Sequence, residues 1–357
     1  MREKQKKKIF VISDIHGHGT LMKQALFSAG FDSNNEEHFL VVLGDLFDRG
    51  QENRAVWEYL RGVKNKVIVK GNHEDILEKT LKTGVVNELQ IVNGTLSTLL
   101  EFFRNYSGGR ICRMSSRVES ELRDRLLRHI NATYDYFETE NYIFAHGFLP
   151  IDEDGSLEKY AYATGEEWYR ARWDRWPQRY GHFKIPNGKT LVVGHTQTAY
   201  YASEFDTSRP LNDHSIFFGD GLIAIDGATV SSGVVNVLCI EDNMELPKTH
   251  LIPSYEGEIE RIFEIYGHTW LLRPLNEELK NIALGDKITL YGFDMATTHK
   301  VISHRIYVEP DKAELDFDPE ELTLPADGDY AGYLKPTLLK YFSKEEIKKG
   351  IIAFKLI

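Results

Sequence analysis

Five short polar motifs contain most of the residues in this chain that could do chemistry, and each follows an apolar run. They supply Asp, Asn and His side chains in a combination that suits two metal ions sharing one carboxylate. An Arg and a further His belong to the same motifs. A paired metal site beside such residues is typical of the hydrolysis of phosphate esters. In chain order the motifs are SDIHGH (13–18), GDLFDRG (44–50), GNHE (71–74), AHG (145–147) and GHT (194–196).

The predicted metal ligands are arranged around one central carboxylate. Two divalent ions about 3.5 to 4 Å apart need a bridging ligand with two oxygens, and Asp45 lies between the other ligands in the chain. Asp14 and His16 are two residues apart, so both can face one ion from an extended loop. Mixed oxygen and nitrogen ligation favours manganese, iron or zinc over calcium. The predicted ligands are Asp14, His16, Asp45, Asn72, His146 and His195.

Three further residues of these motifs are predicted to handle the proton and the phosphate. His73 follows the ligand Asn72 and can give a proton to the leaving oxygen as a general acid. An imidazole in that role needs a partner on its other nitrogen, for which Asp48 is the candidate. Arg49 can bind two phosphate oxygens at once. The nucleophile would be a water whose pKa the metals lower.

The first half of the chain alternates strand-like and helix-like segments, which predicts an α/β fold with a mostly parallel sheet. Apolar runs end at each motif, as in KIFVISD, HFLVVLGD and KVIVKGN. Segments with helical spacing follow them. Each predicted site residue therefore lies just past the carboxyl end of a strand, where such sheets bind ligands.

An arginine-rich segment at about 80–137 is predicted to be a helical insert. The structural interpretation of this segment is a helix face that is exposed to solvent and carries salt bridges. The alternative is a basic wall that holds an extended anionic substrate. Its seven arginines are Arg104, Arg110, Arg113, Arg117, Arg123, Arg125 and Arg128.

The rest of the chain divides into three predicted parts. Residues 1–8 are interpreted as a basic, solvated tail, and the catalytic domain is expected to span 9–245. After it, residues 251–357 hold 13 Lys and Arg against 19 Asp and Glu. Strand-like runs and one helix-like run there predict a smaller, separate α+β domain, through which a partner could dock.

Composition limits the classes of function. The chain has 357 residues and a net charge of −11, which argues against a nucleic-acid binder that works by bulk charge. Its two cysteines form no CxxC pair, so a reducing, cytoplasmic location is expected. No apolar run approaches the roughly 20 residues needed to span a bilayer, so no membrane role is expected.

Taken together, the motifs resemble the signature of the phosphoprotein phosphatase (PPP) branch of the calcineurin-like metallophosphoesterases. The resemblance covers roughly residues 9–242. Within this branch, the chain is similar to bacterial serine/threonine phosphatases and to diadenosine tetraphosphatases. It implies an α/β/β/α sandwich with a dinuclear metal site. It also implies that Asp14, His16 and Asp45 bind the first metal and that Asp45 also serves the second. The other ligands of that second metal would be Asn72, His146 and His195.

The resemblance also assigns phosphate binding to Arg49 and to a second arginine between the two late histidines. Arg175 is the first choice, with Arg170, Arg172 and Arg179 as rivals. His73 with Asp48 would form the acid dyad. The chain departs from the usual family pattern at Ser13, where Gly is common, and at Phe148, which follows the HG of the fourth motif.

Three functions remain open from the sequence. The first is a metal-dependent phosphatase acting on phosphoserine, phosphothreonine or small phosphomonoesters, which the Asp of the DRG motif supports. The second is a dinucleoside polyphosphate hydrolase, such as one acting on diadenosine tetraphosphate, which the arginine-rich insert fits. The third is a partner-binding protein in which the phosphatase domain is secondary. Two divalent metal ions are expected in all three, with manganese first and iron or zinc as alternatives.

Overall fold

A computed structural model of the chain describes most of residues 4–245 and several strands beyond them. Within that range it leaves out 108–109, 114–115, 153–154, 159, 176–182, 207 and 211. Beyond residue 245 it describes 249–253, 262–265, 268–274, 279, 287–292, 295–306, 346 and 351–356.

Two sheets form the centre of the fold. In the first, β1, β2 and β3 run parallel, and β11 pairs antiparallel with β1. The strands of this sheet are β1 (Lys4–Ile12), β2 (His38–Val42), β3 (Lys66–Ile68) and β11 (Leu238–Glu245). In the second, the three central strands run parallel and a short antiparallel strand closes each edge. These are β6 (Phe137–Glu138), β7 (Tyr142–Ala145), β8 (Thr190–Gln197), β9 (Phe217–Phe218) and β10 (Leu222–Asp226).

Side chains that alternate along the strands build three separate cores. Ile9 and Val11 of β1 pack with Val192 of β8 and Ile223 of β10, so the two sheets lie face to face. Their neighbours on the same strands point outward, because successive strand residues face opposite sides of a sheet. The result is the predicted α/β/β/α sandwich, and the predicted fold class is confirmed.

Helices cover both outer faces. The face of the first sheet packs against α1, α2, α5 and α6, and that of the second packs against α7 and α8. In chain order the helices are α1 (Gly19–Ser28), α2 (Asn53–Gly62), α3 (Asn72–Thr83), α4 (Glu88–Val92), α5 (Thr95–Phe103), α6 (Ser116–Asn131), α7 (Gly165–Trp173), α8 (Thr198–Phe205) and α9 (Thr229–Ser232).

The segment at 80–137 differs in part from a purely helical insert. Two short strands, β4 (Arg104–Ser107) and β5 (Arg110–Arg113), form a hairpin between α5 and α6. Gly108 and Gly109 separate these strands in the sequence, and Gly-Gly between two strand-like runs is a hairpin signal. Phe102 and Leu126 lie in the core of the first sheet, so α5 and α6 belong to the outer layer of the sandwich.

Residues 4–8, interpreted from sequence as a solvated tail, form the first half of β1. Lys4 and Lys6 lie opposite Glu245 and Asn243 on β11. Lys6 forms an ion pair of 2.7 Å with Glu241, and cross-strand pairs of opposite charge support such an extension. The basic residues therefore lengthen the strand that leads to Asp14.

Six strands in the C-terminal region form a third sheet. Four of the five contacts between neighbouring strands are antiparallel, and one is parallel. The predicted helix at 338–350 lies outside the described residues except for residue 346. The strands are β12 (Thr249–Pro253), β13 (Ile262–Ile265), β14 (His268–Pro274), β15 (Lys287–Gly292), β16 (Met295–Ile306) and β17 (Ile351–Leu356).

Candidate metal centre

The carboxyl ends of the parallel strands of both sheets meet at one edge of the sandwich. Asp14 and His16 follow β1, Asp45 follows β2, and Asn72 opens α3 after β3. From the second sheet, His146 follows β7 and His195 lies near the end of β8. All six predicted ligands are at most 5% exposed. The structure therefore brings residues from five chain segments into one buried site.

Many of the site residues have an unusual backbone conformation. A positive φ is uncommon for residues other than glycine and costs of order 1 kcal/mol or more, so it persists where the surroundings impose it. Among the described residues it occurs in eight such positions, and six of these belong to the predicted site. The six are Asp14, His16, Asp45, Asp48, Arg49 and His195.

Asp45 lies at the centre of the site. Its Oδ2 is 3.6 Å from His16 Nε2, and its Oδ1 is 3.4 Å from His146 Nε2. Two groups of donor atoms close enough to hold an ion share this carboxylate. One contains His16 and His73, and the other contains His146 and His195. This arrangement agrees with a bridging role for Asp45.

The histidines present lone pairs to the interior of the site. His16 Nδ1 lies 3.1 Å from the carbonyl of Phe47, and His146 Nδ1 lies 2.5 Å from that of Leu43. Each ring must donate its proton there, which leaves Nε2 as an acceptor facing Asp45. His146 Nε2 faces two oxygens that cannot donate to it, Asp45 Oδ1 and Asn72 Oδ1, so this donor set fits a cation. His16 Nε2 accepts from Arg49 Nη1 at 3.2 Å. Burial lowers the pKa of His16 to about 3 and holds it neutral.

Buried carboxylates crowd the same space. Burial first, and then the charges of Asp226 and Asp45, raise the pKa of Asp14 well above its ordinary value. Burial and the charge of Asp45 likewise raise the pKa of Glu74 to about 7 and contribute to a pKa of about 6 for Asp226. Divalent cations relieve this repulsion, which is a second indication that the site fits them.

His73 joins Asp48 and Arg49 beside the ligands. Its Nδ1 is 2.8 Å from Asp48 Oδ2, and its Nε2 is 3.1 Å from Arg49 Nη2. Burial alone would lower the pKa of His73, but the charge of Asp45 and the hydrogen bond to Asp48 outweigh it, and the net shift is upward. His73 Nε2 is also 4.0 Å from Asp45 Oδ2. The predicted acid therefore lies within the site with its partner in hydrogen-bond contact.

The four arginines considered for phosphate binding have different environments. Arg175 is exposed, and its Nη1 donates to the carbonyl of His195 at 2.8 Å. Arg172 is 5% exposed and is held by Asp75 and Asp135, so it has a structural role. Arg170 pairs with Glu166 on the surface of α7. The rival Arg179 lies outside the described residues.

Two buried carboxylates outside the predicted ligand set also lie at the site. Glu74 accepts backbone N–H groups of Gly71, Asp45 and Leu46 at 2.8 to 2.9 Å and so holds the loop of Asp45. Asp226 is the last residue of β10 and is 4% exposed. Its place at the end of a parallel strand was the signal that could have found it.

Ser13 and Gly194 form a close pair beneath Asp14. The hydroxyl of Ser13 donates to Asp14 Oδ2, which also accepts the N–H of His195 at 2.9 Å. A methyl group added at Gly194 would collide with Ser13 Oγ. The Ser13 side chain therefore fits beside Asp14 only because residue 194 has no Cβ.

Gly194→Ala is expected to lower the free energy of unfolding by about 1 to 3 kcal/mol, because the added methyl overpacks this contact. Thermal unfolding of the metal-free protein measures it. Ser13→Gly in the same chain should restore part of the loss. Gly62→Ala is the control, since its added methyl meets no heavy atom within 4 Å. Equal midpoints for Gly194→Ala and the control would contradict the account.

Residues 7–211 match the family model for calcineurin-like phosphoesterases, which is more than half of the chain. The chain therefore belongs to the calcineurin-like phosphoesterase family, and it is a metallophosphoesterase hydrolase. The resemblance drawn from the five motifs is confirmed. Among the described residues, no helix is both long and apolar enough to cross a membrane.

A curated relative and several solved structures are similar to the chain. The bis(5'-nucleosyl)-tetraphosphatase PrpE [asymmetrical] of Bacillus subtilis (strain 168) is 27% identical over 205 residues, covering 52% of this chain and 78% of the relative. A serine/threonine phosphatase from Saccharomyces cerevisiae, with similarity to human phosphatase PP5, has a TM-score of 0.38 at 13% identity and covers 67% of this chain and 80% of its own. A cold-active protein-tyrosine phosphatase of a Shewanella species has a TM-score of 0.36 at 17% identity and covers 63% of this chain and 72% of its own. Structural overlaps of this extent do not discriminate between substrates.

Proposed function

We propose that this chain is a metal-dependent phosphatase that acts on phosphoserine or phosphothreonine, or on small phosphomonoesters. The observation that supports it is the buried pair of His73 and Asp48, 2.8 Å apart, beside two donor groups that share Asp45. A phosphomonoester needs a proton for its leaving oxygen, and this pair is built to deliver one.

Each side chain has a distinct part in the proposed reaction. Asp14, His16 and Asp45 would hold one cation, and Asp45 would share the second with Asn72, His146 and His195. When bound, the cations polarise the phosphoryl group and activate water. Arg49 and Arg175 bind and orient phosphoryl oxygens through charge-assisted hydrogen bonds. His73 Nε2 gives its proton to the leaving oxygen, while Asp48 holds Nδ1.

We propose manganese as the native metal, with iron or zinc as alternatives. The proposed ligands are carboxylate oxygens, an amide oxygen and imidazole nitrogens, a mixture that suits these ions better than calcium. Metal stripping followed by addition of each ion in turn measures the preference. Full activity with calcium and none with manganese would contradict the proposal.

Substrate class is tested by three substrates in parallel: an aryl phosphate, a phosphothreonine peptide and diadenosine tetraphosphate. Phosphate release measures the first two after manganese addition, and chromatographic separation of nucleotides measures the third. The proposal expects the peptide or the aryl phosphate to react fastest. Absence of metal-dependent activity on all three would contradict it.

The second candidate is a dinucleoside polyphosphate hydrolase, and the similarity to the Bacillus subtilis tetraphosphatase favours it. The arginine-rich segment would then bind the extended anion; the side chains of Arg113 and Arg117 lie outside the described residues. Replacing Arg113, Arg117 and Arg125 together by Ala should raise the KM for the dinucleotide far more than the KM for an aryl phosphate. Replacement by Lys is the charge-preserving control. Equal effects on both substrates would exclude binding of the extended anion by these arginines.

Arg175→Ala is expected to raise the KM for an aryl phosphate about tenfold, the effect of losing one charge-assisted hydrogen bond of about 1.5 kcal/mol. Its thermal midpoint should change little, because the side chain is exposed. Arg172→Ala should instead destabilise the protein by about 3 kcal/mol, because Asp135 and Asp75 lose their largely buried ion pairs with Arg172, although Lys70 still pairs with Asp75 at 2.7 Å. A stable Arg172→Ala protein with a raised KM would reverse the two assignments.

We further propose that residues 251–357 form an accessory domain outside the catalytic unit of residues 9–245. Among the described strands, those from β12 onward pair with one another and not with either sheet of the sandwich. A chain shortened after Glu245 keeps β11 and its pairing with β1. Loss of activity on a phosphopeptide alone would assign substrate selection to the accessory domain. Unchanged activity on all substrates would leave partner docking or stability as its role.

A further inference from the structure

Two threonines that belong to none of the five motifs donate hydrogen bonds to the carboxylate of Asp48. Thr95 Oγ1 donates to Asp48 Oδ2 at 2.8 Å, and Thr98 Oγ1 donates to Asp48 Oδ1 at 2.8 Å. Asp48, Thr95 and Thr98 are all fully buried. No water shell is available to orient this carboxylate, so the two hydroxyls and His73 do so.

The directions of these hydrogen bonds limit the proton arrangement at His73. The backbone N–H of Asp48 donates to Thr98 Oγ1 at 3.1 Å, so the Thr98 hydroxyl proton must point at another acceptor. Asp48 Oδ1, at 2.8 Å, is nearer than the carbonyl of Gly94, at 3.4 Å. The proton of Thr95 points at Oδ2, the same oxygen that faces His73 Nδ1. With both oxygens accepting, the proton between Asp48 and His73 belongs on Nδ1. The other nitrogen, Nε2, is thereby the one that faces the site.

Helix α5, which carries both threonines, is anchored to the same loop at two further points. Gly94, directly before the helix, packs so closely on Arg49 that an added methyl group would strike the Arg49 backbone nitrogen. Near the other end of the helix, Glu101 accepts the backbone N–H and the side-chain amide of Asn53 at 3.0 and 2.7 Å. Asn53 Oδ1 in turn accepts the N–H of Asp48 at 3.0 Å. The helix is therefore fixed relative to Asp48.

We propose that Thr95 and Thr98 are positioning residues that hold the Asp48 carboxylate so that His73 keeps its proton on Nδ1 and directs Nε2 at the leaving oxygen. The inference rests on the proposed function, because it assigns these residues to its proton-donating step. It also gives helix α5 a role in the reaction, although the helix supplies no metal ligand and no phosphate contact among the proposed residues.

The test compares leaving groups in Thr95→Val, Thr98→Val and the double variant of the full-length, manganese-loaded protein. An alkyl phosphate needs a proton on its leaving oxygen, whereas dinitrophenyl phosphate does not. We expect kcat for the alkyl phosphate to fall about tenfold or more, part of the 10²- to 10⁴-fold that general acids contribute. Turnover of dinitrophenyl phosphate, the KM for both substrates and the bound metal should stay within about twofold of the wild type.

Conservative variants separate positioning from packing. Thr95→Ser and Thr98→Ser keep the hydroxyl and should restore most of the alkyl phosphate activity. Thr80→Val is the matched control, because Thr80 is 2% exposed and bonds to Ile76 and Gln90, away from Asp48. An equal fall on both leaving groups, or no recovery with Ser, would overturn the proposal. A wild type without metal-dependent hydrolysis would instead overturn the proposed function.

A second measurement needs neither activity nor a valine variant that folds. In the unmodified protein, nitrogen-15 NMR of labelled histidine should show a hydrogen-bonded proton on His73 Nδ1, assigned by its loss in His73→Asn. Thr95→Ser should preserve that signal. A proton found on Nε2 alone, with Nδ1 bare, would overturn the proposed role of the two threonines.

Discussion

Asp45→Asn is expected to lower kcat/KM by about a thousandfold or more, which corresponds to about 4 kcal/mol of transition-state stabilisation. The physical reason is that Asp45 is the carboxylate shared by both donor groups, so losing its charge weakens both cation sites at once. Asn keeps an oxygen that can accept the N–H of His73, which Asp45 Oδ1 accepts at 3.0 Å, so the loop should stay folded.

Metal content and stability distinguish this explanation from misfolding. Elemental analysis should find fewer than two bound cations in the variant, and the thermal shift that manganese produces in the wild type should shrink. Metal binding at one site adds about 2.7 kcal/mol to the free energy of unfolding when the metal concentration is one hundred times Kd. Without metal, the variant should remain folded, because Asn keeps the oxygen that accepts the N–H of His73. Asp124→Asn, on the exposed face of α6, is the control. Retention of both cations would contradict the bridging role.

His73→Asn is expected to lower kcat for an alkyl phosphate by about 10² to 10⁴ while leaving the bound metal nearly unchanged. His73 pairs with Asp48 rather than with a backbone carbonyl, unlike His16 and His146, so we assign it to the proton and not to a cation. Steady-state kinetics on alkyl and dinitrophenyl phosphates measure the effect, which should be largest for the poorer leaving group.

The same variant also tests the one point where two groupings of residues differ. Donor-atom distances group His73 with His16 and Asp45, whereas the resemblance groups Asp14 with them. If His73→Asn loses one cation and Asp14→Asn does not, His73 is a ligand and the proposed acid is wrong. Loss of the cation in Asp14→Asn alone would support the assignment made from the sequence.

The sequence predicted those features that depend on short stretches of chain. Apolar runs of strand length, each followed by polar residues, located β1, β2, β3, β7 and β8, and the rule that parallel strands end at one edge placed the motif residues together. The C-terminal runs TWLLRPL, DKITLYGF and IIAFKLI likewise correspond to β14, β15 and β17. Such features are predictable because strand periodicity and strand ends are written in neighbouring residues.

Features that depend on how layers pack were decided only by the tertiary structure. The contact of Thr98 with Asp48 joins residues 50 apart, and that of Arg172 with Asp75 joins residues 97 apart. Nothing in the local sequence separates Arg172, buried in ion pairs, from Arg175, exposed beside His195. Each of these side chains acquires its partner only when segments that are distant in the chain pack together. Motif spacing therefore determined the chemistry of this protein, while packing determined which other residues hold that chemistry in place.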